Sequence, residues 1–160
     1  MMTVHSEKEY IKKRRKQAEE LSRLFRSMQK YPVEKRKIVV ASFEGAGRYG
    51  CNPRYVVEEL NRRAPELRFV WLMHDTSHVF PEWIEKVLDT PENTAYHLST
   101  ASVWIDNYRK PWGTIKSFGQ LYVQTWHGSL GIKAVGKFQG STCLKIAQII
   151  SEADSQIMFD

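Results

Sequence analysis

The residues best suited to chemistry lie together in Gln124-Thr125-Trp126-His127-Gly128, directly after the apolar run Leu121-Tyr122-Val123. The pattern predicts a histidine at the C-terminal end of a β-strand, the edge where open α/β sheets bind ligands. An imidazole there can exchange a proton near neutral pH. Gly128 lets backbone approach a bound group closely, and Lys133 follows as a cation. A histidine beside a tryptophan is also what a packed side chain looks like, and the motif alone leaves both readings open.

A second cluster is Gly45-Ala46-Gly47-Arg48-Tyr49-Gly50, after the apolar run Ile38 to Phe43. It fits G-x-G-x-x-G, and Asp75 at the end of the next apolar run stands loosely where a ribose-binding acid belongs. That would make the chain a dinucleotide-binding oxidoreductase domain. Two details oppose it. The glycines lie several residues past the strand, and Asn52-Pro53 reads as N-cap and first helical residue, so the helix starts after the third glycine. The competing expectation is a flexible cleft loop. The amides of Gly45 and Gly47, with the helix start at Asn52, would then hold an anion. His74, Asp75 and His78 are close in sequence but read as a polar loop, and no metal site is expected.

These residues need a scaffold, and 160 residues suffice for one domain with a core. Apolar runs at Ile38–Phe43, Leu67–Met73, Val103–Ile105 and Leu121–Val123 predict strands, with further short strands at 93–96 and 156–159. Helical patterns cover 7–30, Asn52 to about Ala64, Pro81 to about Leu88, and Ser141–Ile150, with a helical turn at 97–101. The alternation predicts a three-layer, doubly wound, Rossmann-like parallel α/β sheet with Phe43, Asn107 and His127 at one edge. The expected division is 1–34, a basic amphipathic helix and link, then 35–160, the Rossmann-like lobe.

Net charge is +6, concentrated in Lys12-Lys13-Arg14-Arg15-Lys16 and Lys35-Arg36-Lys37. Such blocks favour anionic partners. Along 7–30, Leu21, Leu24 and Phe25 form an apolar stripe beside the basic face. That suits the surface of an anionic membrane, and equally a helix packed on the core. No apolar run is long enough to span a bilayer and the N-terminus lacks a secretory core, so the expected location is cytoplasmic, peripheral on the inner face of the plasma membrane. Without a helix-turn-helix pattern or an aromatic single-strand platform, nucleic acid is not an expected partner. Two distant cysteines outside any CxxC argue against a disulfide framework.

Taken in order, Pro32-Val33, Ser42-Phe43-Glu44-Gly45, Asn52-Pro53-Arg54-Tyr55, Val70-Trp71, Ala101 to Arg109 and Tyr122 to Ser129 resemble the N-terminal half of the CDP-glycerol glycerophosphotransferases of teichoic-acid and capsule biosynthesis. The Gln-Thr-Trp-His-Gly segment is the most specific piece. Where the family continues Thr-Pro-Leu-Lys, this chain has Ser129-Leu130-Gly131-Ile132-Lys133, which changes the loop between histidine and lysine. The resemblance implies the N-terminal, acceptor-side lobe of a GT-B-like enzyme. It implies CDP-glycerol or CDP-ribitol as substrate, no other cofactor, and a lipid-linked polyol-phosphate or glycan acceptor. It also implies a nucleotide-binding C-terminal lobe supplied in cis or in trans, without which the chain is expected to be inactive. By the same resemblance His127 is the base. Asn107, Arg109, Gly128, Ser129 and Lys133 bind phosphate and acceptor.

Overall fold

The computed structural model describes residues 4–125. Helix α1 spans Val4–Met28, strand β1 Glu34–Ala41, helix α2 Cys51–Arg63 and strand β2 Arg68–Met73. Strand β3 spans Ile84–Leu88, helix α3 Pro91–Thr100, strand β4 Ala101–Asp106 and strand β5 Leu121–Gln124. His127, Gly128, Ser129 and Lys133, the expected helix at 141–150 and the expected strand at 156–159 lie outside the described residues.

The five strands form one parallel sheet in the order β3-β2-β1-β4-β5. Alternate residues serve opposite faces, as the pleat requires. Val39, Ala41, Val70, Leu72 and Trp104 pack beneath Phe25 of α1 and Ala95 and Leu98 of α3. Ile38, Val40, Phe69, Trp71, Met73 and Ile105 pack with Val57 of α2 on the other side. Both faces are therefore covered, which is why β1 and β2 read as unbroken apolar runs. The result is the expected three-layer Rossmann-like α/β fold. The division expected at 34/35 falls at the first residue of β1.

Two elements differ from the sequence reading. The helix expected from Pro81 to Leu88 is the edge strand β3. Its Ile84 and Val87 pair with Phe69 and Leu72 of β2, while Glu85 and Lys86 point to solvent. Charged residues are usual on an edge strand, and here they mimicked a helical surface. The strand expected at 93–96 is the first half of α3. Pro91 occupies its opening turn, and the Thr90 hydroxyl accepts from Asn93 N–H at 3.2 Å. That is a capped helix start, which overrides the β-leaning residues that follow.

The apolar stripe of α1 is also resolved. Phe25 is 1% exposed and Ala18 7%, with Leu21, Leu24 and Met28 packed against the same core. Phe25 and Ala18 hold the helix to the sheet, while Leu21, Leu24 and Met28 are half-buried against the same core and Leu21 and Leu24 line the cleft. The basic residues Lys12, Lys13, Arg15 and Lys16 remain on the exposed side.

Candidate functional site

The strand order reverses at β1. The chain moves outward from β1 to β2 and β3, then crosses back through α3 to β4 on the other flank. Loops leaving β1 and β4 therefore diverge and open a crevice at the C-terminal edge, where such sheets bind ligands. A cleft of about 960 Å³ lies there, running beneath α1. Its walls include the strand ends Ala41, Leu72 and Asp106, the charged residues Glu44, Arg109 and Lys110, and Arg14 of α1.

The β4 loop is built by Asp106. One carboxylate oxygen accepts from the amides of Asn107 at 2.8 Å and Tyr108 at 3.0 Å, and the other meets Lys110 Nζ at 2.5 Å. Burial pushes this carboxyl above the usual carboxylate range, although Lys110 and the two amides pull it down. The tight turn places Asn107 under the β1 loop. Its side-chain oxygen accepts from Phe43 N–H at 2.8 Å, and the residue is fully buried. Asn107 thus joins the two loops that flank the crevice, and Arg109 lines the cleft beside it.

The β1 loop differs from the anion cradle expected of it. The amides of Gly45 and Gly47 both donate to Ser42 O, at 3.1 and 2.9 Å, and Ala46 N–H donates to Phe43 O at 3.0 Å. These donors are turned inward, so they do not offer the phosphate-binding amides that a dinucleotide loop requires. Phe43 and Glu44 adopt left-handed φ values of 49° and 55°, strained for residues with side chains. Burial pushes the Glu44 carboxyl up, against the pull of Arg109 and Arg14. Helix α2 begins at Cys51 with Gly50 as its N-cap, so Asn52 is not the cap. Its side-chain amide instead donates to Thr125 O at 3.2 Å.

Of the residues singled out from sequence, Gly45 and Arg109 line this crevice, Asn107 is fully buried with its side chain on the Phe43 amide and so is not presented to a phosphate as expected, and Gly47 folds back onto Ser42. Asn52 sits on the neighbouring helix start, tied to the end of β5. Thr125 is bound to Asp106 O through its amide at 2.7 Å and its hydroxyl at 3.1 Å. The polypeptide therefore leaves the described residues at this sheet edge, two residues before His127.

One pairing was not foreseen. His74 Nδ1 lies 2.6 Å from Asp89 Oδ2 on the cleft wall. Each residue directly follows a strand, the same signal that drew attention to His127. Asp89 was hidden because β3 read as a helix. Arg14 was read only as part of a basic block, and nothing local in the sequence brings it to the cleft. His78 approaches Asp75 no closer than 3.8 Å, and no metal-binding cluster occurs among the described residues.

With this geometry in hand, comparison with known proteins is decisive. The family model for CDP-glycerol:poly(glycerophosphate) glycerophosphotransferase matches residues 23–155. The chain belongs to this family. It is 34% identical over 98 residues to a teichoic acid poly(glycerol phosphate) polymerase of Staphylococcus epidermidis, covering 61% of this chain and 14% of that protein. It is 30% identical over 108 residues to the polymerase of the same description in Bacillus subtilis, again 14% of the relative's length and 66% of this chain. Among solved structures, a variant of the wall teichoic acid polymerase TagF superposes with a TM-score of 0.69 at 26% identity, covering 78% of this chain and 31% of that one. A TagF variant soaked with CDPG gives 0.62 at 30% identity, with 72% and 30% covered. This glycerophosphotransferase-family chain thus spans a minor part of each relative it matches.

Proposed function

We propose that these residues form the acceptor-side lobe of an enzyme that transfers glycerol phosphate from CDP-glycerol to a lipid-linked polyol-phosphate or glycan acceptor, releasing CMP. CDP-ribitol is the alternative donor. The observation that carries the reading is the family match across residues 23–155, which includes the Trp126-His127-Gly128 segment, on a fold whose switch-point edge opens into a cleft.

In this reading the acceptor hydroxyl oxygen bonds to the β-phosphorus of the donor. The bridging bond to the α-phosphate breaks, CMP departs with the bonding pair, and the hydroxyl proton passes to neutral His127. Lys133 and the backbone at Gly128 and Ser129 offset charge on the transferring phosphoryl oxygens. Arg109 orients an acceptor phosphate through its planar fork of donors. Asn107 contributes by fixing the β1 loop that faces it. Positioning and charge stabilisation dominate phosphoryl transfer, and a second, nucleotide-binding lobe supplies much of both. That the chain spans 31% of the solved polymerase supports this division of labour.

The lobe works at the inner face of the plasma membrane, held by the exposed basic side of α1. Phe25 is committed to the core and Leu21 and Leu24 pack against it, so the attraction is electrostatic, roughly 1 kcal/mol per Lys or Arg near an anionic surface. Among the described residues no helix is long and apolar enough to cross a membrane.

The test is CMP release from CDP-glycerol with a lipid-linked acceptor, comparing the isolated chain with a two-lobed assembly. The isolated chain should show little turnover. In the assembly, His127→Ala should lower the rate by about 10²–10⁴-fold without unfolding the lobe. Full activity of that variant would remove His127 as the base, and robust turnover by residues 1–160 alone would overturn the two-lobe reading.

A further inference from the structure

Three strand-end loops converge at one point on the cleft wall. Gly45 follows β1, His74 follows β2 and Asp89 follows β3. His74 N–H donates to Gly45 O at 2.9 Å, and Asp89 N–H donates to Met73 O at 3.0 Å. Between them runs the 2.6 Å contact from His74 Nδ1 to Asp89 Oδ2. It exists because position 45 carries no side chain. A Cβ there would fall on Asp89 Oδ2 and lie 2.9 Å from His74 Nδ1. Gly45 also has φ +89°, which few other residues adopt.

The imidazole is therefore anchored through its backbone and through one ring nitrogen. Its side chain is nonetheless 58% exposed and lines the cleft. A ring held at Nδ1 by a carboxylate keeps Nε2 as its remaining polar atom, in a fixed orientation. As a stabilising device the arrangement is poor, since a polar contact to a side chain this exposed contributes at most about 1 kcal/mol. Orientation of the ring is what the glycine and the aspartate achieve.

The cleft lining is of mixed charge. Asp89 is matched by His74 and Asp106 by Lys110, while Arg14, Arg23 and Arg109 share the lining with Glu20, Glu44 and Glu92, and Arg14 and Arg109 both act on the Glu44 carboxyl. We propose that His74, held by Asp89, is a phosphate-binding residue on the β2–β3 side of the cleft, taking one phosphate of the acceptor polyol-phosphate chain within the lining it shares with Arg14. The identity of that ligand rests on the transferase reading above. A polyanionic chain held at Arg109 alone can swing about that contact. A second contact across the switch point sets its direction relative to the transfer site. His74 is here a positioning residue, with no part in breaking or making bonds.

The experiment is a titration of the full 160-residue chain with sn-glycerol 3-phosphate, followed by the ¹⁵N and ¹³C signals of the His74 ring, with glycerol as the control. The expected result is a saturable shift of the His74 signals with the phosphate ester and none with glycerol. His74→Gln and Asp89→Ala should each weaken binding by about tenfold, the loss of one charge-assisted hydrogen bond. Fluorescence of the buried Trp71 and Trp104 verifies that the variants are folded. The proposal is overturned if the His74 signals stay fixed while the ester binds elsewhere, if no ester binds, or if glycerol shifts them equally. Absence of CMP release by the two-lobed assembly would count against the transferase reading and leave a positive titration standing. Loss of the titration with turnover intact would do the reverse.

Discussion

Gly45 links the fold to the cleft, and replacing it with alanine combines two costs that Gly119 and Gly47 carry singly. Gly119 has φ +83° and nothing within 4 Å of the position a Cβ would take. Gly119→Ala therefore measures backbone strain alone, about 1–2 kcal/mol for a left-handed alanine. Gly47 lacks the positive φ, but a Cβ there would collide with the Ser42 hydroxyl and lie 2.8 Å from its carbonyl oxygen. Gly47→Ala measures overpacking alone, about 1–3 kcal/mol. Gly45 combines a φ of +89° with a Cβ position already occupied by the Asp89 carboxylate.

Gly45→Ala should then cost about 2–4 kcal/mol, from the left-handed strain, loss of the exposed His74–Asp89 contact and displacement of one loop. The assay is urea unfolding of each variant, read by the fluorescence of Trp71 and Trp104, both fully buried. Stability should fall more for Gly45→Ala than for Gly119→Ala, and only the former should move the ring signals of His74. Equal losses in these two variants, or an undisturbed His74 in Gly45→Ala, would refute the claim that the empty space at position 45 exists for the His74–Asp89 contact.

Three further outcomes follow from the buried and half-buried charges. Burial lowers the His97 pKa from 6.5 to about 4, so the folded state binds fewer protons than the unfolded chain between those values. Its contribution is absent above pH 6.5, stability falls as pH drops through that window, and urea midpoints should register a loss of about 2 kcal/mol by pH 5 that His97→Phe removes. The Lys37 ammonium is buried, 2.6 Å from the Thr100 hydroxyl and 3.4 Å from Glu34 Oε1, and should be worse off without its closer partner than absent. Thr100→Val should cost about 1–3 kcal/mol, and Lys37→Met, which leaves Thr100 bonded to Tyr96 O, should be close to neutral in the same unfolding assay. Phe25→Ala should destabilise the lobe by about 3–5 kcal/mol while leaving its sedimentation with anionic vesicles unchanged, whereas neutralising Lys12, Lys13, Arg15 and Lys16 should abolish that sedimentation and spare stability. Vesicle binding that survives high salt, or that is lost with Phe25, would show that the stripe leaves the core.

The parts of the fold that were legible in the sequence are those buried on both sides. Ile38 to Ala41 and Phe69 to Met73 have no solvent-facing positions, so they carry no polar residue to disguise them. The segment from Pro81 to Leu88 was misread because β3 lies at the sheet edge. Glu85 reaches Arg68 at 2.7 Å, and Lys86 reaches Thr76 O at 2.7 Å. Those charges serve the rim of the sheet, yet in sequence they are indistinguishable from a helix surface. The same ambiguity governed α1, whose stripe fits a membrane and a core equally well until the partner of Phe25 is known.

The candidate site divides along a similar line. A polar residue directly after an apolar strand is a local signal: Asn107 follows β4 and is buried beneath the β1 loop, His74 follows β2 and lines the cleft, and Arg109 reaches the cleft two residues after Asn107. The amides of Gly45 and Gly47 are not the anion cradle expected of them for a reason no spacing rule contains: both turn back onto Ser42 O. The glycines are needed nonetheless, Gly45 to leave room for the Asp89 carboxylate and Gly47 for Ser42. A glycine pattern therefore reports that backbone must pass close to something, and only the fold says whether that something is a phosphate or a neighbouring side chain. At Gly45 it is the side chain that aims His74 into the cleft. If that imidazole engages a phosphate, Gly45 acts on the ligand through the histidine it makes room for, and not through its own amide, which is held by Ser42 O.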